Sequence, residues 1–158
     1  MNDEEVEKII KDLGLTIRKP PEAKEHFHIV TSPPQGFPVV DIIKISQNSP
    51  FYLITMGILI HPTHKSAIGN LDEKERQEFF ASLIEDVLKM GVDIAILPPN
   101  SEIPEIIQIS KVAYSKDLTA NQLLDYYTLV RNAGMLVITR INRRFGWITQ
   151  KRGASPYV

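Results

Sequence analysis

The sequence predicts an α+β domain: a largely antiparallel five-stranded sheet with three helices, in the order α-β-β-β-α-β-β-α. Three observations carry that prediction. Residues 51–60, FYLITMGILI, are apolar on both faces of any strand they form, so an edge position would leave one row in water. Three stretches repeat apolar residues at helical spacing behind capping signals, the first two followed by a glycine stop. Four further short runs alternate, or stay apolar, between clusters of turn-forming residues.

The first helix has punctuation at both ends, with Asn2 as cap, Glu5 as its capping-box partner and Gly14 as stop. Val6, Ile9, Ile10 and Leu13 make its apolar stripe. Pro20 and Pro21 end local order. Residues 26–31 then alternate, placing Phe27, Ile29 and Thr31 on one face and His26, His28 and Val30 on the other. Residues 32–36 turn the chain into a second strand over 39–46, and residues 47–50 turn it into the central strand, completing a meander. In that central strand Phe51, Leu53 and Leu59 face one way and Tyr52, Ile54, Met56, Ile58 and Ile60 the other, a buried helix being the alternative.

Pro62 and Gly69 oppose regular structure after residue 60, so 61–70 is expected to be loop. Asn70, with Glu73 three residues on, is expected to open the middle helix over 71–90. Its stripe is Phe79, Phe80, Leu83, Ile84, Val87 and Leu88. Residues 92–97 and 105–114 supply the last two strands, separated by the proline-rich PPNSEIP. The long final helix starts near Thr119, with Gln122 as box partner, and runs to about 144 through Leu123, Tyr127, Val130, Gly134, Val137 and Ile141, the mid-helix glycine being expected where two backbones approach closely. Of the adjacent Tyr126 and Tyr127, one is expected in the core and the other exposed. These elements form one domain over residues 1–145, followed by a tail over 146–158.

Composition narrows the function classes. The chain has 158 residues, 43% hydrophobic and 23% charged, with a formal net charge of -1, which gives no overall attraction to nucleic acid or anionic lipid. It has no cysteine, which excludes disulfides, thiolate nucleophiles and cysteine-bound zinc or iron–sulfur centres. No apolar run approaches the roughly 20 residues of a membrane span. The acidic start lacks the pattern of a signal peptide, so a cytoplasmic protein without membrane partner is expected.

The order of elements, with its acidic capped first helix, third strand at 51–60, middle helix at 71–90 and long terminal helix at about 120–144, resembles the type III secretion chaperone-like fold over nearly the whole chain. The sequence also looks like an uncharacterised archaeal family of that fold. The resemblance implies a dimer that binds extended segments of client protein without catalysis.

Residues with chemical capacity are few. His26 and His28, and His61 and His64, form two pairs that sheet pairing could bring near each other, but no carboxylate stands at a recognised ligand spacing, so no metal is expected. No GxSxG elbow, HExxH helix or glycine-rich phosphate loop occurs, so neither catalytic residues nor a cofactor are expected. Asp41 lies within an apolar strand and is expected to point to solvent from its half-exposed face. The C-terminal region carries Arg140, Arg143, Arg144, Lys151 and Arg152 with no intervening acid, and Phe145 and Trp147 among them. Arg140, Arg143, Arg144 and Trp147 are therefore the candidate anion or partner contacts. The competing reading is a basic helix end complementing the helix dipole.

Three function classes follow. A non-catalytic protein-binding or chaperone-like adaptor module with an unidentified client leads. A nucleic-acid binder using the basic aromatic segment and an enzyme without a recognisable motif are the alternatives. The strands carry more apolar side chains than three helices cover, so one sheet face is left over and a homodimer is expected. Burial of that face by Phe145, Trp147 and Ile148 is the competing outcome.

Overall fold

A computed structural model describes residues 1–148 of the chain. Its elements are α1 (Asp3–Asp12), β1 (Thr16–Arg18), β2 (Phe27–Ser32), β3 (Val40–Lys44), β4 (Phe51–Leu59), α2 (Pro62–Gly69), α3 (Glu73–Lys89), β5 (Asp93–Leu97), β6 (Ile106–Tyr114) and α4 (Ala120–Phe145). The class is α+β, but the expected five strands and three helices are corrected to six strands and four helices among the described residues. The antiparallel sheet has the order β1-β2-β3-β4-β6-β5, which places β4 in its interior.

The two additional elements have physical explanations. β1 is three residues long, pairs Thr16 with Ser32 and Arg18 with Val30, and is held by that pairing, being too short to show a period of its own. α2 begins with Pro62 in its first turn, where a missing N–H costs nothing, and the His61 side chain accepts from the Thr63 amide as the cap. Gly69 is its last residue. Proline and glycine here mark a start and an end, and only His64 and Ile68 of this helix are buried. α3 is capped by Asp72, whose carboxylate accepts from the Glu75 amide at 2.7 Å, rather than by Asn70.

By contact density the chain forms two compact units. The first comprises residues 1–56 and 110–131. Here β2, β3 and β4 are a consecutive antiparallel meander, with Ile29 opposite Ile42 and Ile42 opposite Ile54. Phe27, Ile29, Thr31, Val40, Ile42, Tyr52 and Ile54 make one buried face. α1 and the first part of α4 attach to that face. The Tyr52 hydroxyl donates to Asp3 at 2.6 Å, and Tyr127 meets Thr31 at 2.5 Å. α1 starts with the full capping box, Asn2 and Glu5 each accepting from the other's amide. Tyr127 is buried; its neighbour Tyr126 is half-buried beneath the Lys111 ammonium.

The second unit comprises residues 57–109 and, within the described chain, 132–148. Ile58, Ile60, Ile107 and Ile109 of the two long strands are buried here, as are Leu83 and Val87 of α3 and Val137 and Ile141 of α4. Of the six-residue stripe expected on α3, only Leu83 and Val87 are fully buried, while Leu88 is 52% exposed. The Ile60 amide donates to the Glu105 carbonyl at 2.9 Å, and the Glu105 amide to the Leu97 carbonyl at 2.8 Å, fixing the ends of β4, β5 and β6.

Candidate interaction surface

The meander of the first unit has a second face, and strand geometry fixes what it carries. Side chains alternate along a strand, and residues opposite each other in an antiparallel pair share a face. Ile43 stands opposite Leu53, so one step of two residues along the same register sets Ile45 opposite Phe51. On the other side of β4, the Ser115 amide donates to the Pro50 carbonyl at 2.8 Å, which sets Tyr114 opposite Phe51 and Val112 opposite Leu53. Two adjacent rows result, Ile45–Phe51–Tyr114 and Ile43–Leu53–Val112.

None of these six side chains is fully buried. Ile45 is 61% exposed, Tyr114 56% and Val112 47%, while Ile43, Phe51 and Leu53 are half-buried between them. From strand spacing the patch measures about 10 Å across the strands and about 7 Å along them, centre to centre. It contains no charged residue. The opposite parity of Val112 and Tyr114 from Ile107, Ile109 and Ala113 was visible in the sequence, but which parity lies beneath the helices was not.

Polar groups border the patch on the β1–β2 side. His28 Nε2 and Asp41 Oδ2 are 2.8 Å apart, and His28 Nδ1 lies 3.4 Å from Glu25 Oε2. Asp41 thus sits on the half-exposed face with a histidine partner. The Glu25 carboxyl is held below the usual carboxylate range, chiefly by a hydrogen bond from its own backbone amide. His26 lies just outside β2 and turns to Asp3 at 3.0 Å, so it does not share the environment of His28. In the second unit, the buried His64 has Nε2 2.7 Å from the Gly146 carbonyl and lies between the rings of His61 and Phe145, at 6.2 and 6.4 Å. Among the described residues, no group of three or more histidines or carboxylates is placed to hold a metal.

The C-terminal candidates lie in the second unit and are brought together only in part. Arg140 is bonded to Asp86, and to the Ser82 hydroxyl at 3.0 Å. Arg144 reaches Glu75 at 3.9 Å and stands 5.8 Å from the centre of the Phe145 ring. Phe145 in turn packs edge-on against Phe79 at 5.0 Å. Arg143 is exposed, and Trp147 is 72% exposed. Lys151 and Arg152 lie outside the described residues.

The family model of an uncharacterized conserved protein, DUF2299, matches residues 2–141. The chain belongs to this family. None of the curated proteins matches it. Among solved structures it is similar to the crystal structure of an uncharacterized protein from Methanothermobacter thermautotrophicus, at 24% identity and a TM-score of 0.81, over 92% of this chain and 100% of that one. That likeness shows the fold. Both findings reach an uncharacterised family with an archaeal structural neighbour, and neither carries the type III secretion chaperone-like resemblance. Among the described residues no helix is long and apolar enough to cross a membrane.

Proposed function

We propose that the chain is a non-catalytic protein-interaction module, an adaptor that pairs with a second copy of itself through the open face of β3, β4 and β6. The observation that carries this reading is the neutral two-by-three apolar patch. Apolar surface removed from water stabilises by about 25 cal/mol per Å², and contiguous exposed apolar patches mark interaction sites more than isolated exposed residues do. The natural complement of an open sheet face is another sheet face, which packs at about 10 Å.

A two-fold interface sets residues near the axis against their own copies. Like charges there would repel, and the two rows carry none. His28, with Asp41 and Glu25 beside it, gives the patch on that side a polar rim of the kind that borders such interfaces. The type III secretion chaperone-like resemblance supports the same reading by analogy, since it implies dimers that hold client segments without catalysis.

Light scattering at micromolar concentration tests the proposal. The chain, of 17.9 kDa, is expected at twice that mass, and Val112→Glu with Tyr114→Glu is expected to return it to monomer with an unchanged circular dichroism spectrum. Both positions are about half exposed, so the substitutions leave the core intact. A concentration-independent monomer in the native chain, or a dimer indifferent to the paired substitution, overturns it.

A further inference from the structure

α3 is wider in apolar character than its core contact uses. Leu83 and Val87 enter the core, whereas Phe80 and Ile84, one step around the helix, are only half-buried. Together with Ile96 of β5 and Pro104 of the loop over 98–105, they line a cavity of about 520 Å³, within the size range of small-molecule sites. The loop is tied by its own bonds, Ser101 Oγ donating to the Ile103 carbonyl at 2.7 Å.

One cation, Arg76, stands among the lining residues of this cavity. The Arg76 side chain is 13% exposed, and among the described residues its guanidinium, with five donors, makes one long hydrogen bond, to the Leu71 carbonyl at 3.3 Å. Its ion-pair partner, Glu102, is 3.8 Å away and 83% exposed. The other acid on the wall, Glu73, is exposed and accepts from Gln77 at 3.2 Å. Glu73 and Glu102 stand out in solvent, which screens them, whereas the covered stem of Arg76 holds its guanidinium at the cavity wall, so an anion entering the cavity meets Arg76 at short range.

We propose that this cavity binds a carboxylate carrying a compact apolar group. The carboxylate displaces Glu102 and pairs with Arg76 through parallel N–H donors, and the apolar group lies against Phe80, Ile84, Ile96 and Pro104. A free organic acid and the C-terminal residue of a peptide both offer this chemistry.

Ligand-observed NMR on the full chain tests it, with 3-phenylpropionate against its amide, and a short peptide ending in leucine against the same peptide amidated. Each acid is expected to bind at least about tenfold more tightly than its amide, the value of one charge-assisted contact. Arg76→Gln is expected to abolish that preference and Arg76→Lys to restore part of it. Tighter binding of 3-phenylpropionate assigns the site to free acids, and tighter binding of the peptide assigns it to a C-terminus. Absence of binding by both acids, or equal binding of acid and amide by the native chain, overturns the proposal even if Arg76→Gln fails to fold.

Discussion

Removing the Thr31–Tyr127 contact from its two ends is expected to cost unequal amounts. Thr31 Oγ1 has one proton and gives it to the Val40 carbonyl at 2.8 Å, so in the 2.5 Å contact with Tyr127 it is the tyrosine that donates. Tyr127→Phe deletes the donor and leaves a hydroxyl that still donates to Val40, at a cost of about 1 kcal/mol. Thr31→Val leaves the Tyr127 hydroxyl, on a residue 3% exposed, with a buried donor and no acceptor, and also takes a bond from Val40. That costs about 2–3 kcal/mol. In a chain of this length each kcal/mol moves the melting midpoint by about 2–4 °C, so Thr31→Val is expected to melt lower by about 4–12 °C. The double variant removes the orphaned donor together with its acceptor and is expected to cost less than the sum by about 1–2 kcal/mol. Urea unfolding of the four proteins measures all three quantities. If Tyr127→Phe is the costlier single change, or the two changes add within about 0.3 kcal/mol, the assigned direction and coupling of the bond are wrong.

Tyr52 and Tyr127 are both held above the ordinary tyrosine range, first by burial, and Tyr52 also by its bond to the Asp3 carboxylate. A folded pKa above the unfolded value of about 10 gives stability that is complete below that pH and lost as pH rises, by up to about 1.4 kcal/mol per unit for each tyrosine. Urea midpoints should therefore fall from about pH 10 upward, and less steeply in Tyr52→Phe; a midpoint flat to about pH 11 contradicts the burial of both hydroxyls. Asn2→Ala removes the acceptor for the Glu5 amide and one half of the capping box, with an expected loss of about 1 kcal/mol and faster amide exchange in α1. Exchange unchanged through α1 would show that the box is not what holds its first turn. Ile54→Asp and Ile58→Asp each place an unpaired carboxylate at a position with no exposure and are expected to prevent folding. Normal solubility and melting of both would contradict the interior position of β4.

The elements legible in the sequence were those whose stabilising interactions are local or whose pattern admits one solution. Asn2 and Glu5 lie within one turn of each other, so the start of α1 is written in four residues. Residues 51–60 are apolar on both parities, and β4 does lie inside the sheet, but its Phe51 and Leu53 row stays on the open face, so an interior place covers the strand's edges and only one of its two rows. β1 was not legible because nothing in Thr16–Arg18 makes a strand until Ser32 and Val30 lie beside it. α2 was missed for a different reason. Proline opposes a helix through its absent N–H and its ring, and both objections vanish in the first turn, so Pro62 is informative only once the position of the helix start is known.

The candidate site followed the same division. Alternation states which side chains share a face, and Ile43, Leu53 and Val112 satisfy it equally well above or below the sheet. Only the placement of α1 and α4, through Asp3 to Tyr52 and Tyr127 to Thr31, decides that these residues are the ones left open. The broad stripe of α3 shows how a correct pattern can be assigned too simple a cause. Phe80 and Ile84 repeat with Leu83 and Val87 at helical spacing, which reads as one wide core contact. In the fold the loop over 98–105 stands off from α3, and the second half of the stripe becomes a cavity wall beside Arg76. The prolines that kept this loop out of the sheet thus shape the space. No periodicity could register that, because the opposing wall comes from β5 and the loop after it, outside the helix.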